Sequence, residues 1–193
     1  MCTIPNIQEQ LTQLDHIITT EFIPAITNGI ICSANLRKLM ALPPKLGGLG
    51  IPIFAEMATG ESENSQKLTK HLTRNIINQK IPLDDENEVK KVKQGLKSAK
   101  RKAQNEVLSS LRDQMSPNLL KLNDLACAKG ASSWLTLLPI ADEGYELNKE
   151  LFWDLIRIRY GYQLKRLPAL WQSVRFTACS ILQKGGICII TTQ

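Results

Sequence analysis

The sequence predicts an all-α, mainly helical fold, and two patterns carry the prediction. Apolar residues recur at three- and four-residue steps in successive stretches, the spacing of one helix face. Helix-start residues and Pro or Gly stops punctuate those stretches. Ile7, Leu11, Leu14, Ile18 and Phe22 form the first stripe, which Pro24 and Asn28-Gly29 should end. Ser33 suits an N-cap for a short helix burying Leu36, Leu39 and Met40, with Pro43-Pro44 as its stop. Residues 60–83 read as a polar surface helix with Leu68, Leu72 and Ile76 inward, closed by Ile81-Pro82.

The strongest periodic signal follows. Val89, Val92, Leu96, Ala99, Ala103, Val107 and Leu111 mark a long amphipathic helix. Asp84, Asp85, Glu86 and Glu88 suit the positive end of its dipole, and Ser116-Pro117 is the expected close. Leu119, Leu120, Leu122, Leu125 and Ala126 predict a further helix that stops at Gly130. Asn148 can cap a last one whose face is Leu151, Leu155, Ile158 and Tyr162. The tail mixes β-branched residues with Gly185-Gly186, which suits a short strand pair. The chain thus divides into segments 1–58, 59–116, 117–168 and 169–193.

Composition narrows the function classes. The 193 residues carry a net charge of +6, and 43% are hydrophobic, enough for a core. Five cysteines (Cys2, Cys32, Cys127, Cys179, Cys188) include no CxxC pair, which fits reduced thiols and an intracellular location. No apolar run approaches the roughly 20 residues of a membrane helix, and Glu9 and Asp15 do not suit a signal peptide. No membrane partner is expected.

Enzyme signatures fail one by one. In "LPPKLGGLGIP" Gly48 and Gly50 supply two glycines of a dinucleotide fingerprint, but Ile53 stands at the third position. Lys45 precedes the glycines, whereas a P-loop lysine follows them. A tight connector with glycine at positive φ is the better reading. Asp84-Asp85 has no third carboxylate with strand context beside it and sits where a helix begins, which suits solvated helix-start charges better than a metal pair. His16 and His71 face no nucleophile at a recognisable spacing, and Cys179 and Cys188 are too few for a zinc site. No cofactor and no small-molecule substrate are expected.

Charge placement carries the functional signal. Seven cations and no acid fall between residues 90 and 102. Lys90, Lys93, Lys97, Lys100, Arg101 and Lys102 are the candidate residues, with Lys93, Lys97 and Lys100 along one face, opposite the apolar stripe. Such a face can displace counterions from an RNA or DNA backbone without reading sequence, although most charge runs only solvate a surface. Arg157 and Arg159, with Lys165 and Arg166, form a second cluster interleaved with Trp153, Tyr160 and Tyr162, aromatics suited to base stacking or to a core.

Two blocks resemble a family. "IITTEFIPAITNGIICSANLRKLMALPPKLGGLGIP" is similar to the region just after the palm in reverse transcriptases of non-LTR retrotransposons. "AKGASSWLTLLPIADEGYELNKELFWDLIRIRYGYQL" is similar to a second block of those proteins, with a charged helical linker between. The resemblance spans about residues 10–168. It implies a thumb-like first segment, a basic linker helix and a C-terminal helical block, truncated on both sides. The palm aspartates are absent, and "ALWQSV" and "FTACSILQKGG" stand where a cysteine–histidine knuckle would be, so the resemblance carries over no polymerase activity. The expectation is a non-catalytic nucleic-acid-binding fragment. Its alternatives are a module pairing its apolar stripe with a partner helix, or a remnant without selected function.

Overall fold

A computed structural model describes residues 7–79, 86–136, 140 and 147–164. These form seven α-helices and, among the described residues, no strand, which is the all-α fold the periodicity predicts. α1 (Gln8–Ile17) passes through a π-helical turn, Ile18–Phe22, into α2 (Ile23–Ile26). Then come α3 (Ala34–Ala41), α4 (Phe54–Ile77), α5 (Glu86–Arg112), α6 (Pro117–Cys127) and α7 (Lys149–Arg159), with 3-10 turns at Pro44–Leu46 and Ser133–Leu135. No helix among the described residues is long and apolar enough to cross a membrane. The expected features at Ile81-Pro82, Asp84-Asp85, Cys2, Lys165, Arg166, Cys179, Cys188 and the tail 169–193 lie outside the described residues, as does the His71 side chain.

The chain separates into two compact units, residues 1–18 with 52–107 and residues 19–51 with 108–193. In the first, α1 packs on α4. Ile53 holds the N-cap position of α4 but offers no side-chain acceptor. Asp15 of α1 supplies it: the Phe54 amide donates to Oδ1 at 2.9 Å and the Ala55 amide to Oδ2 at 2.8 Å. One carboxylate thereby satisfies two of the four orphan amides of α4 at the positive end of its dipole. Nearby, the Gln8 side-chain amide donates to the Thr59 hydroxyl.

This cap changes which residues of α1 face inward. Leu11, Asp15 and Ile18, at four- and three-residue steps, are half-buried, while Leu14 and Phe22 of the expected stripe are exposed. On α4 the buried positions among the described side chains are Ala58 and Ser65, small residues that allow close approach, and Ile76 is 70% exposed. The stripe of α5 is half-buried at Val89, Val92 and Leu96 and exposed at Ala99, Ala103 and Val107. Lys100 Nζ meets Glu61 Oε1 of α4 at 2.9 Å. Because Lys100 lies only about 100° around the helix from Ala99, the lysine row flanks the stripe rather than standing opposite it.

In the second unit, Pro24 sits in the first turn of α2, where its missing N–H costs nothing. The turn comes later, at Asn28 (φ 54°) and Gly29 (φ 84°). The Thr27 hydroxyl pins it, donating to the Ile23 carbonyl at 2.6 Å and accepting from the Ile30 amide at 3.3 Å. Ser33 caps α3 by accepting from the Leu36 amide at 3.3 Å, and Leu36, Leu39 and Met40 are buried, both as expected. Ile23, Ile30, Met40 and Ile156 are fully buried. Ser116 opens α6 rather than closing α5, which ends at Arg112: Pro117 takes the first helical position and the Leu119 amide donates to Ser116 Oγ at 3.4 Å. Asn148 caps α7, accepting from the Leu151 amide at 2.7 Å. The buried face of α7 is Ile156, Arg157, Arg159 and, just beyond, Tyr160, in place of the expected Leu151, Leu155, Ile158 and Tyr162 stripe.

Asp15→Ala should lower the stability of the first unit by about 1–2 kcal/mol, the usual worth of an N-cap, with Asp15→Asn in between because it keeps one acceptor. Urea unfolding followed by helical circular dichroism reads this, and coincident midpoints for all three proteins would contradict the cross-chain cap.

Candidate nucleic-acid interface

α5 runs for 27 residues, about 40 Å at 1.5 Å per residue. From Val89 to Asn105 it carries seven cations and no acid, and every one of the seven is exposed. At about 100° per residue Lys90, Lys93, Lys97, Lys100 and Arg101 fall within an arc of about 100°. Lys91 and Lys102 lie further round.

Some of this charge is spent within the protein. Lys100 is paired with Glu61, and Lys102 stands 4.0 Å from Glu106 one turn on. The second pair is solvated and worth little. Lys91, Lys93, Lys97 and Arg101 have no carboxylate within 4 Å among the described residues. Their charge faces water, accessible to an external anion.

Arg157 and Arg159 have the opposite surroundings, which corrects their assignment to the interface. Both are buried. Arg157 Nε donates to the Gln163 carbonyl at 2.7 Å and Nη1 to the Asn28 carbonyl at 3.3 Å, and its guanidinium lies 5.9 Å from the Tyr162 ring centre. Arg159 donates to four acceptors: Pro44 O at 2.8 Å, Gly47 O at 3.2 Å, Gly48 O at 3.2 Å and Ser132 Oγ at 3.0 Å. The Tyr160 hydroxyl adds a bond to Gly47 O at 3.3 Å. Burial pushes the Tyr160 phenol far above its ordinary range, more than the adjacent Arg159 pulls it down. Trp153 is half-buried with Lys149 Nζ 4.5 Å from its ring centre.

The glycine stretch is the connector its sequence predicts. Gly47 (φ 86°) and Gly50 (φ 75°) both take positive φ. Gly48 is needed for space, since a Cβ there would come within 1.8 Å of the Leu42 carbonyl oxygen. The Gly50 amide donates back to Leu42 O at 2.8 Å and the Leu49 amide to Met40 O at 3.0 Å, satisfying carbonyls at the end of α3. A phosphate loop would turn its amides outward to a ligand; here Leu49 and Gly50 spend theirs on the helix.

Cys127 and Cys32 are half-buried thiols. Burial raises both, outweighing the pull of Arg159 and Arg112 on Cys127 and of Arg37 on Cys32. A thiol held above its usual range is a poor nucleophile near neutral pH.

Three further cations, absent from the candidates that the sequence suggests, are Lys67, Lys70 and Arg74 of α4. They are exposed and line an open groove along the helix together with Glu63, Gln66, Thr69, Thr73 and Ile77. Their sequence signal is the lack of any acid between Asn64 and Gln79.

Arg159→Lys should destabilise the second unit by about 2–4 kcal/mol, since one ammonium cannot serve four spread acceptors and buried carbonyls are left bare. Lys93→Gln should stay within about 0.5 kcal/mol, as exposed substitutions do. Equal thermal midpoints for the two variants would contradict the inside–outside assignment. Comparisons with protein-family models, curated proteins and solved structures return no match.

Proposed function

We propose that α5 binds the phosphate backbone of RNA or DNA without reading its base sequence. One observation carries the reading: an acid-free row of exposed cations, with Lys91, Lys93, Lys97 and Arg101 held by no carboxylate among the described residues. Lysine and arginine on a straight helix can each replace a condensed counterion, and the released ions drive association. Side chains that reach phosphates fix position but not sequence. The resemblance of Ile17–Pro52 and Ala128–Leu164 to the post-palm region of reverse transcriptases, proteins that handle nucleic acid, is in keeping with this role. The binding is non-catalytic.

A second reading has its own observation. Ala99, Ala103 and Val107 present an apolar stripe to solvent on the same helix, and a partner helix could cover it. In that case the lysines serve only as flanks.

Binding of a duplex oligonucleotide across a salt series separates the two. The wild-type protein should show a steep fall of log K with log salt. Changing Lys93, Lys97, Arg101 and Lys102 to Gln should flatten that slope by up to about 3–4, at roughly 0.9 for each phosphate no longer neutralised, and weaken all sequences alike. An unchanged slope, or a concentration-dependent dimer in sedimentation that ignores nucleic acid, would overturn the phosphate reading in favour of the helix partner.

A further inference from the structure

We infer that α4 supplies a second cation row, Lys67, Lys70 and Arg74, and that the two rows together select double-stranded over single-stranded nucleic acid. This rests on the phosphate-binding reading of α5 and extends it to a substrate class.

The Glu61–Lys100 pair fixes the register of the two helices. From Glu61 to the end of α4 at Ile77 the chain climbs about 24 Å, and from Lys100 back to Glu86 about 21 Å. A parallel arrangement would separate Ile77 from Glu86 by about 45 Å, beyond the roughly 30 Å that nine extended residue steps can span. The stretch of α4 after Glu61 and the stretch of α5 before Lys100 therefore extend to the same side of the pair. Counting outward from the pair, Lys67 and Lys70 lie about 9 and 14 Å along α4. Lys97, Lys93 and Lys90 lie about 5, 11 and 15 Å along α5 in the same direction. Both rows extend to the same side of the pair; Glu56 lies on the other side, Glu63 comes about 3 Å along α4 before Lys67, and Glu88 and Glu86 follow Lys90 at about 18 and 21 Å along α5. Lys67 is only loosely engaged, 4.0 Å from Glu63 with both side chains well exposed.

The chemistry of these helices decides between strand types. Residues 55–107 contain no Phe, Tyr or Trp. Single-strand binders gain about 1–3 kcal/mol per base from stacking on aromatic side chains; the one aromatic of the two helices, Phe54, stands at the first residue of α4, about 20 Å along the helix from Lys67 and outside both cation rows. What remains is charge against charge, which favours the partner of highest phosphate density. A duplex carries one charge per about 1.7 Å of axis, on two backbones. Two cation rows match two backbones; a single strand can engage only one.

The test compares 25-bp DNA and RNA duplexes with a 25-nucleotide single strand, by fluorescence anisotropy at matched salt. Three proteins are measured: wild type, Lys67→Gln/Lys70→Gln/Arg74→Gln, and Lys67→Arg/Lys70→Arg, which keeps the charge. Circular dichroism confirms retained helix. The duplexes should bind at least tenfold tighter than the single strand. The glutamine variant should flatten the salt slope by about 2–3, and the arginine variant should match wild type. Equal or tighter single-strand binding overturns the inference. A glutamine variant that binds like wild type also overturns it, while the α5 reading stands if the α5 variant still fails to bind. If neither set of substitutions alters binding, both readings fall. Preference for anionic phospholipid vesicles over every nucleic acid assigns the rows to a membrane surface and overturns the inference.

Discussion

The second unit depends on where one positive charge goes. Arg159 brings its guanidinium into the interior, where Nε donates to the Gly47 carbonyl and Nη2 to the carbonyls of Pro44 and Gly48 and the hydroxyl of Ser132. The stretch it holds is short of donors of its own, because Pro43 and Pro44 have no N–H. Its amides at Leu49 and Gly50 are already committed to the end of α3. A buried guanidinium without a carboxylate is costly unless its protons are satisfied, and a bend of bare carbonyls is costly unless its oxygens are. Each requirement answers the other. The bond ties the connector after α3 to α7 and to the turn holding Ser132, three segments far apart in the chain.

This divides the cations into two kinds, alike in sequence and opposite in surroundings. Arg157 and Arg159 are internal hydrogen-bond donors, and Arg37 is another, bonded to the Thr19 hydroxyl at 3.2 Å and the Ile51 carbonyl at 2.8 Å. The planar, multiply donating guanidinium suits the interior. Most of the external cations are lysines, whose compact, hydrated charge on a flexible stem suits a phosphate reached through water. Among the described residues the buried charged ones are all arginines. The distinction is the reason the proposed binding surface is drawn on α5 and α4 rather than at the aromatic-rich C-terminal block.

Local chemistry is legible in the sequence, and tertiary chemistry is not. The caps at Ser33 and Asn148 and the glycine turn follow from side-chain and backbone geometry within a few residues, and each is readable. The cap of α4 is hidden because Asp15 lies 39 residues before the amide it meets, with no local signature. The first stripe misleads for the same reason, since a carboxylate shares the inward face with Leu11 and Ile18. Pro24 signals a break, but a proline in a first turn continues a helix. The α5 stripe is correct as a helix and wrong as a measure of burial, because periodicity shows which residues share a face and not whether anything covers it. Charge alone puts Arg157 and Arg159 on the surface; the prolines and glycines of residues 43–50 are the clue that donors are needed elsewhere. Lys67, Lys70 and Arg74 escape notice because three cations over eight residues look dilute until the helix brings them to one side.

A nucleic acid on α5 and α4 must cover particular lysines, and acetylation footprinting in the presence of a duplex reads them residue by residue. Lys90, Lys93 and Lys97 on α5 and Lys67 and Lys70 on α4 should lose reactivity when the duplex is added. Lys38, Lys45, Lys121 and Lys149, exposed as well but outside both rows, should react as before. Uniform protection of all these lysines, or none on α5, would contradict an interface built from the two cation rows.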